Sequence, residues 1–363
     1  MKPIISVPII VALVHRAYSR KSLIPVGLVA AALTAVAHAL NPWSLPLFLL
    51  LVFYVGGTKA TKVKHDIKAQ LTLSATGSHG GEGARTHIQV LANSIVASVL
   101  CLAHAWALKN KSSDGNGCFS TGRSADDLLV VGIIANYAAV AADTFSSELG
   151  ILSKSHPRLI ISPTLRVVPP GTNGGVTGTG LLAGAFGAFT IGVTSAVLLP
   201  FCDSVANTLQ ERIVLVLVTT VWGTMGSILD SILGALLQAS VVDKRSGKIV
   251  EGIGGQKVLL HPSSTTPGSA DSSLKPAAGA SGAQLRHMET VANTAALKGT
   301  RATGTAEKRD EGEQAQHESR RVESGRDILD NNAVNVLMAA IMSVGAMALA
   351  SYVWDLSVLD VFA

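Results

Sequence analysis

Apolar runs separated by polar connections constrain this chain more than any other feature. They cover Leu23 to Leu40, Leu45 to Gly57, Ile88 to Leu108, Leu128 to Ala142, Val176 to Pro200, Ile213 to Ala239 and Ala333 to Val353. Water is absent from hydrocarbon, so every backbone N–H and C=O there must be satisfied within the chain. Runs approaching the ~20 residues needed to cross a bilayer therefore read as membrane helices. Ile4 to Val14 is apolar but shorter. It reads as a tilted span, a re-entrant piece or an uncleaved anchor, since no small-residue cleavage site follows it. The expected fold class is an all-α polytopic membrane protein of about seven to eight transmembrane helices, with polar motif loops on the cytoplasmic face.

Composition agrees. The 363 residues are 48% hydrophobic and only 15% charged, with a mean hydropathy of +0.41, which excludes an ordinary soluble protein. Aromatics supply 4% while glycines number 35, so the spans are expected to pack through small side chains. The net charge of +5 marks loop topology, and no basic-aromatic pattern indicates a nucleic-acid partner. Cys101, Cys118 and Cys202 form no CxxC pair, and their odd count argues against a disulfide framework. A Cys118–Cys202 bridge on the non-cytoplasmic side stays open.

Charge orients the spans. If the loop at Arg16 to Lys21 is cytoplasmic, alternation puts 58–87, 143–175 and 240–332 on the same side. Those loops hold most of the Lys and Arg, as the positive-inside rule requires; only Lys109, Lys111 and Arg123 dissent. The domain reading is a membrane domain over 1–257, a low-complexity insert over 258–327 with the composition of a disordered segment, and a last helix within 328–363.

The central polar stretch runs DTFSSELGILSKSHPRLIISPTLRVVPPGTNGGVTGTG, 143 to 180. It joins carboxylates, guanidinium groups and a glycine-rich loop that opens the next span. Asp143 and Glu148 are five residues apart, about 140° round an ideal helix, so spacing alone does not put them on one face. Asp230 sits within the apolar run GSILDSILGALLQ. A charged side chain in a span costs about 2.5 to 3.5 kcal/mol on insertion scales, which makes Asp230 a functional candidate, against the reading as a structural hydrogen-bonder. Asp330 reads singly as the N-cap of the last helix. The run GTNGGVTGTG at 171–180 is either an anion nest before a helix N-terminus or a helix-packing segment. Lys59, Lys62, Lys64 and Lys68 read first as topology determinants. Arg85, Gln89 and Asn93 recur at helical spacing as a polar stripe on a cavity wall.

The blocks KSL (21–23), KATKVKHDIKA (59–69), GARTHIQVLANS (83–94), ADTFSSELGILSKSHPRLI (142–160), GTNGGVTGTG, GSILDSILGALLQ (226–238) and LDNNAVN (329–335) together resemble the transmembrane protein nineteen family, in the family's order. This is the domain-of-unknown-function ninety-two family, which includes the phytyl-phosphate kinases of plants and cyanobacteria. Phe145 stands where animal-type members usually carry Trp, a mild change.

The kinase branch implies phosphoryl transfer from a nucleoside triphosphate, CTP or ATP, to a polyprenyl or phytyl monophosphate. Mg²⁺ and cationic groups would offset repulsion between the phosphates. On that resemblance Asp143, Glu148, Asp230 and Asp330 are the expected catalytic and metal-ligating acids. Lys59, Lys62, Arg85, Arg158, Thr172, Asn173, Gly174 and Gly175 would bind phosphates, and Asn93, Asn331 and Asn332 would orient substrate. The expected partners are the lipid bilayer and an isoprenoid phosphate, and the expected location is the endoplasmic reticulum or another endomembrane. Two other classes stay open: a transporter of an anionic metabolite, which would line a path through the membrane with charge, and a non-catalytic lipid-binding or scaffold protein, whose polar groups would not converge.

Overall fold

The computed structural model describes residues 1–75, 80, 83–111, 117–202, 208–258 and 320–361. Residues 1–259 and 319–363 form one compact unit, and 260–318 fall in a second that lies outside the described residues.

Helices begin where the sequence supplies a starter. Prolines occupy the first turns of α1 (Pro3–Ser19), α2 (Pro25–Ala39) and α3 (Leu45–Lys62), where a missing N–H costs nothing. A short α4 (His65–Leu71) follows. The run expected as one span over Ile88 to Leu108 is broken: α5 (His87–Ala92) opens on a Thr86/Gln89 capping box, and α6 (Ile95–Lys111) starts after a turn at Asn93 and Ser94. Asn93 Nδ2 donates to Gln89 O at 3.1 Å and Ser94 Oγ to Val90 O at 2.8 Å, the side-chain competition that interrupts a helix. Then come α7 (Asp126–Gly150), α8 (Gly178–Leu198), α9 (Leu209–Leu237) and α10 (Asn331–Trp354).

By length and apolarity, α3, α7, α8, α9 and α10 reach the requirement for crossing a membrane, and α1, α2 and α6 are shorter apolar helices. Among the described residues five helices thus reach spanning length, short of the expected seven to eight. The centre is α7, 89% of whose apolar window is buried. Its run of small residues at Ala138, Ala139 and Ala141 lets two neighbours come very close. A Cβ on Gly223 of α9 would lie 2.6 Å from Ala138 O, and one on Gly187 of α8 would lie 2.7 Å from Ala141 O. Backbone approach through small residues supplies the packing between spans. Leu182, Phe186 and Phe189 on α8, and Leu217, Val218 and Val221 on α9, stay exposed, as lipid-facing sides do.

The all-α expectation needs one correction. Polar segments at one end of the bundle form a four-stranded sheet of β1 (Leu73–Ser74), β4 (Ser240–Asp243), β5 (Ile249–Glu251) and β6 (Arg320–Ser324), in the order β1-β5-β4-β6. A two-stranded pair joins β2 (Arg158–Leu159) to β3 (Gly175–Val176). β4 and β5 alternate little and are buried on both sides, Val241, Val242, Ile249 and Val250 being inaccessible, so they show no period-2 signal in the sequence. Because β6 and the turn to Asp330 belong to the fold, the insert reading of 258–327 fails for 320–327. The part over 259–319 lies outside the described residues.

The opposite end is closed covalently. Cys118 and Cys202 form a disulfide that ties the α6–α7 connection to the α8–α9 connection, the alternative that the cysteine count alone left open. Phe119 stacks edge-on against Phe201 and Trp354 at centroid distances of 5.7 and 6.4 Å, and the Arg212 guanidinium lies 4.5 Å above the Phe201 ring.

Candidate functional site

The loops expected on one face do share one end of the bundle, around a cavity of about 930 Å³. It is lined by Arg85, Asn93, Asp143, Glu148, Thr172 to Gly175, Asp230, Asp330, Asn331 and Asn332, among others. Lys59 and Lys62 are exposed on α3 and do not line it. Arg158 is also outside: it is exposed and donates from Nη1 to Leu165 O at 3.2 Å within the β2 hairpin.

Helices α7 and α9 run longer than a span requires, and their surplus builds the site. At 1.5 Å per residue, the 29 residues of α9 and the 25 of α7 outreach a hydrocarbon core of about 30 Å. Asp143 therefore does not end its helix, which continues two turns to Gly150. Asp230 is two turns from the end of α9 and faces the cavity. The Asp143 and Asp230 carboxyls interact directly in the buried wall of the cavity. Asp230 Oδ1 is inaccessible and lacks a hydrogen-bond partner. Two carboxylates are acceptors only, so such a contact requires a shared proton or a cation between them.

Glu148 has other partners. Its Oε2 accepts from Lys68 Nζ at 2.6 Å and its Oε1 from Thr61 Oγ1 at 2.7 Å. Lys68 also donates to the carbonyls of Ala60 and Thr61 at 3.2 and 2.6 Å. Arg85 Nη2 donates to Thr61 Oγ1 at 2.9 Å and stands 3.8 Å from Glu148 Oε1. This network fastens the C-terminal end of α3, α4 and the segment before α5 onto α7.

Asp330 is the N-cap of α10, accepting from Ala333 N at 2.8 Å. Asn331 Oδ1 accepts from Gln238 Nε2 at 3.5 Å, and Asn335 Nδ2 reaches Asn93 Oδ1 at 3.5 Å. Asn332 donates to Gly254 O at 3.0 Å, leaving its buried Oδ1 without a partner. The structure thus pairs Asp143 with Asp230 and gives Glu148 and Asp330 separate tasks. Among the described residues no three His, Cys, Asp or Glu side chains group closely enough to hold a metal ion. Mg²⁺ nevertheless fits the Asp143/Asp230 pair, because it binds through one or two carboxylates and takes its remaining oxygens from water and substrate phosphates.

The glycine-rich loop is mostly structural. Thr172 N donates to Pro169 O, Asn173 N to Ser240 Oγ and Gly175 N to Thr172 O, at 3.2, 2.9 and 2.9 Å. Three of the four amides expected to cradle a phosphate are therefore engaged. Gly174, at φ 77, presses on α9, where a Cβ would lie 2.4 Å from Ala235 Cβ. What remains open to an anion is the start of α8: Thr177 caps it by accepting from Gly180 N at 3.0 Å, and Val176, Thr177 and Gly180 line the cavity.

Reading the sequence missed Lys68, Thr61, Gln238 and Asn335 as site residues. Nothing local distinguishes Lys68 from its exposed neighbours Lys59, Lys62 and Lys64. Gln238 and Asn335 close the blocks GSILDSILGALLQ and LDNNAVN, and those blocks were the available signal.

A helical membrane bundle with a polar cavity at one end is the class that this geometry defines. The chain belongs to the integral membrane protein DUF92 family, whose model matches residues 8–343. It is 38% identical to Protein PGR of Arabidopsis thaliana over 240 residues, 65% of this chain and 78% of the relative. It is 34% identical over 196 residues to an uncharacterized membrane protein of Methanocaldococcus jannaschii, 53% of this chain and 65% of that protein. No solved structure matches.

Proposed function

We propose that the cavity transfers a phosphoryl group from a nucleoside triphosphate, CTP or ATP, to a polyprenyl or phytyl monophosphate. The observation that carries this reading is the meeting of the Asp143/Asp230 pair with the Lys68, Arg85 and α8-terminus positive groups in one space large enough for two phosphorylated molecules. An acceptor phosphate is already anionic, so proton abstraction contributes little, and the barrier is repulsion between anions. Asp143 and Asp230 would hold Mg²⁺, which supplies charge neutralisation across the donor phosphates. Arg85 and the first turn of α8 would hold phosphate oxygens, while Asn93, Asn331 and Asn332 orient the acceptor. An oxygen of the lipid phosphate forms a bond to the γ-phosphorus as the bond from that phosphorus to the bridging oxygen breaks. The products are the lipid diphosphate and a nucleoside diphosphate.

Sidedness favours this over transport: the site's acids and bases gather at one end, while the other is closed by the disulfide and stacked aromatics. A disulfide at that end suits an oxidising lumen, so we place the cavity on the cytoplasmic face of the endoplasmic reticulum or another endomembrane. Purified protein incubated with labelled ATP or CTP and a panel of isoprenoid monophosphates should yield labelled diphosphates. No product from any pair, with protein that is folded by thermal melting, overturns the reading.

A further inference from the structure

A second cleft of about 370 Å³ lies between α1, α2, α3 and α5. Its floor is apolar and made open by small side chains: Val14, Ala31, Ala35, Leu50 and Phe53 line it. Thr61, His65, Gly83, Ala84, Arg85, Gln89 and Asn93 line both this cleft and the polar cavity, so the two spaces adjoin across that wall. The rim carries Arg20, Lys21, Lys62 and Arg85, and the described residues lining the cleft include no Asp or Glu. Lys62 and Arg20, which the polar cavity leaves out, thus have a place here.

An apolar gap between membrane helices fills with hydrocarbon, because water there would find no partners. A basic rim at the interface attracts an anionic head group. One molecule satisfies both conditions and the shared wall as well: an amphiphile with a hydrocarbon chain and a terminal phosphate. We propose that this cleft binds the chain of a lipid monophosphate, entering laterally from the bilayer and presenting its phosphate at Arg85 to the polar cavity. The proposal rests on the phosphoryl-transfer reading for the role of that lipid, but the binding itself needs no nucleotide.

The test is photo-crosslinking of the full chain in nanodiscs, without nucleotide, using a polyprenyl monophosphate with a diazirine on its terminal isoprene unit. Label is expected on peptides of α1, α2 and α3. Filling the cleft from opposite walls, by Ala31→Phe and separately by Leu50→Trp, should reduce that label at least tenfold in protein of unchanged melting temperature. In turnover the same variants should raise KM for the lipid at least tenfold and leave KM for the nucleotide unchanged. Label on α8 and α9, or label indifferent to whichever of the two variants folds normally, overturns the proposal. Equal competition by two-chain phosphatidic acid also overturns it, by making this a general bilayer-lipid cleft. Label lost in both variants of a protein that phosphorylates none of the lipids keeps the binding site and removes the transfer reading instead.

Discussion

The two ends of the bundle are held by opposite kinds of interaction. At one end a disulfide closes a loop of 84 residues, and Phe119, Phe201, Trp354 and Arg212 stack over it. At the other, charged, amide and backbone polar groups face a cavity, and what fixes them is the Lys68–Glu148–Thr61 network, helix caps and the small sheet. Covalent and aromatic contacts tolerate no rearrangement and need no water. A site that must admit charged ligands cannot be built that way, since each polar group has to keep a partner in the empty state and exchange it on binding.

The comparison breaks most sharply at Lys68. Its side chain and that of Glu148 are 8% and 15% exposed, and removing one member of a buried pair leaves an uncompensated charge. Lys68→Met should cost about 3–5 kcal/mol of stability, read as a lowered melting temperature in detergent, while Lys68→Met with Glu148→Gln should recover part of it. Full stability of the single variant would show that the network does not hold the cavity end. At the far end, Cys118→Ser with Cys202→Ser should cost about 2–4 kcal/mol. Turnover should stay unchanged at temperatures where the protein is folded, and a fall in turnover would mean that the ends are coupled.

Asp230→Asn keeps shape and hydrogen bonding but removes charge from the pair with Asp143. Membrane abundance should be normal and phosphoryl transfer should fall by about 100-fold, the scale of one preorganised electrostatic contact. An abundant, fully active variant reduces Asp230 to a hydrogen-bonding packer. Gly174→Ala, at φ 77 and against Ala235, should lower stability by about 1–3 kcal/mol, read from the melting temperature; no change would mean the loop yields. The smallest effect is expected from deleting 260–318 behind a short linker, which should leave abundance and turnover as they are. Extending the deletion to 324 removes β6 from its pairing with β4 and should lower the abundance of the protein in the membrane.

The site was legible in part because polar residues are expensive in apolar runs. Asp230 stands out for that reason, Arg85 and Asn93 as a polar stripe at helical spacing and Asp143 as the acid at the edge of a span, and all four line one cavity. Lys59, Lys62 and Arg158 lie in blocks that carry the family resemblance, but charge on a loop says nothing of direction. Lys68 differs from Lys64 and Lys62 only in where α4 aims it, so no local pattern could separate the buried lysine from the exposed ones.

The sequence by itself determined the solvent this chain folds in, the approximate spans, their packing through small residues and the sharing of one end by the polar blocks. These follow from hydrophobicity, length and charge bias, which act residue by residue. Only the tertiary structure decided the pairing of Asp143 with Asp230 and of Lys68 with Glu148, the sheet and the disulfide. Each of those joins groups far apart in the chain, and local preference carries no information about which distant group will arrive.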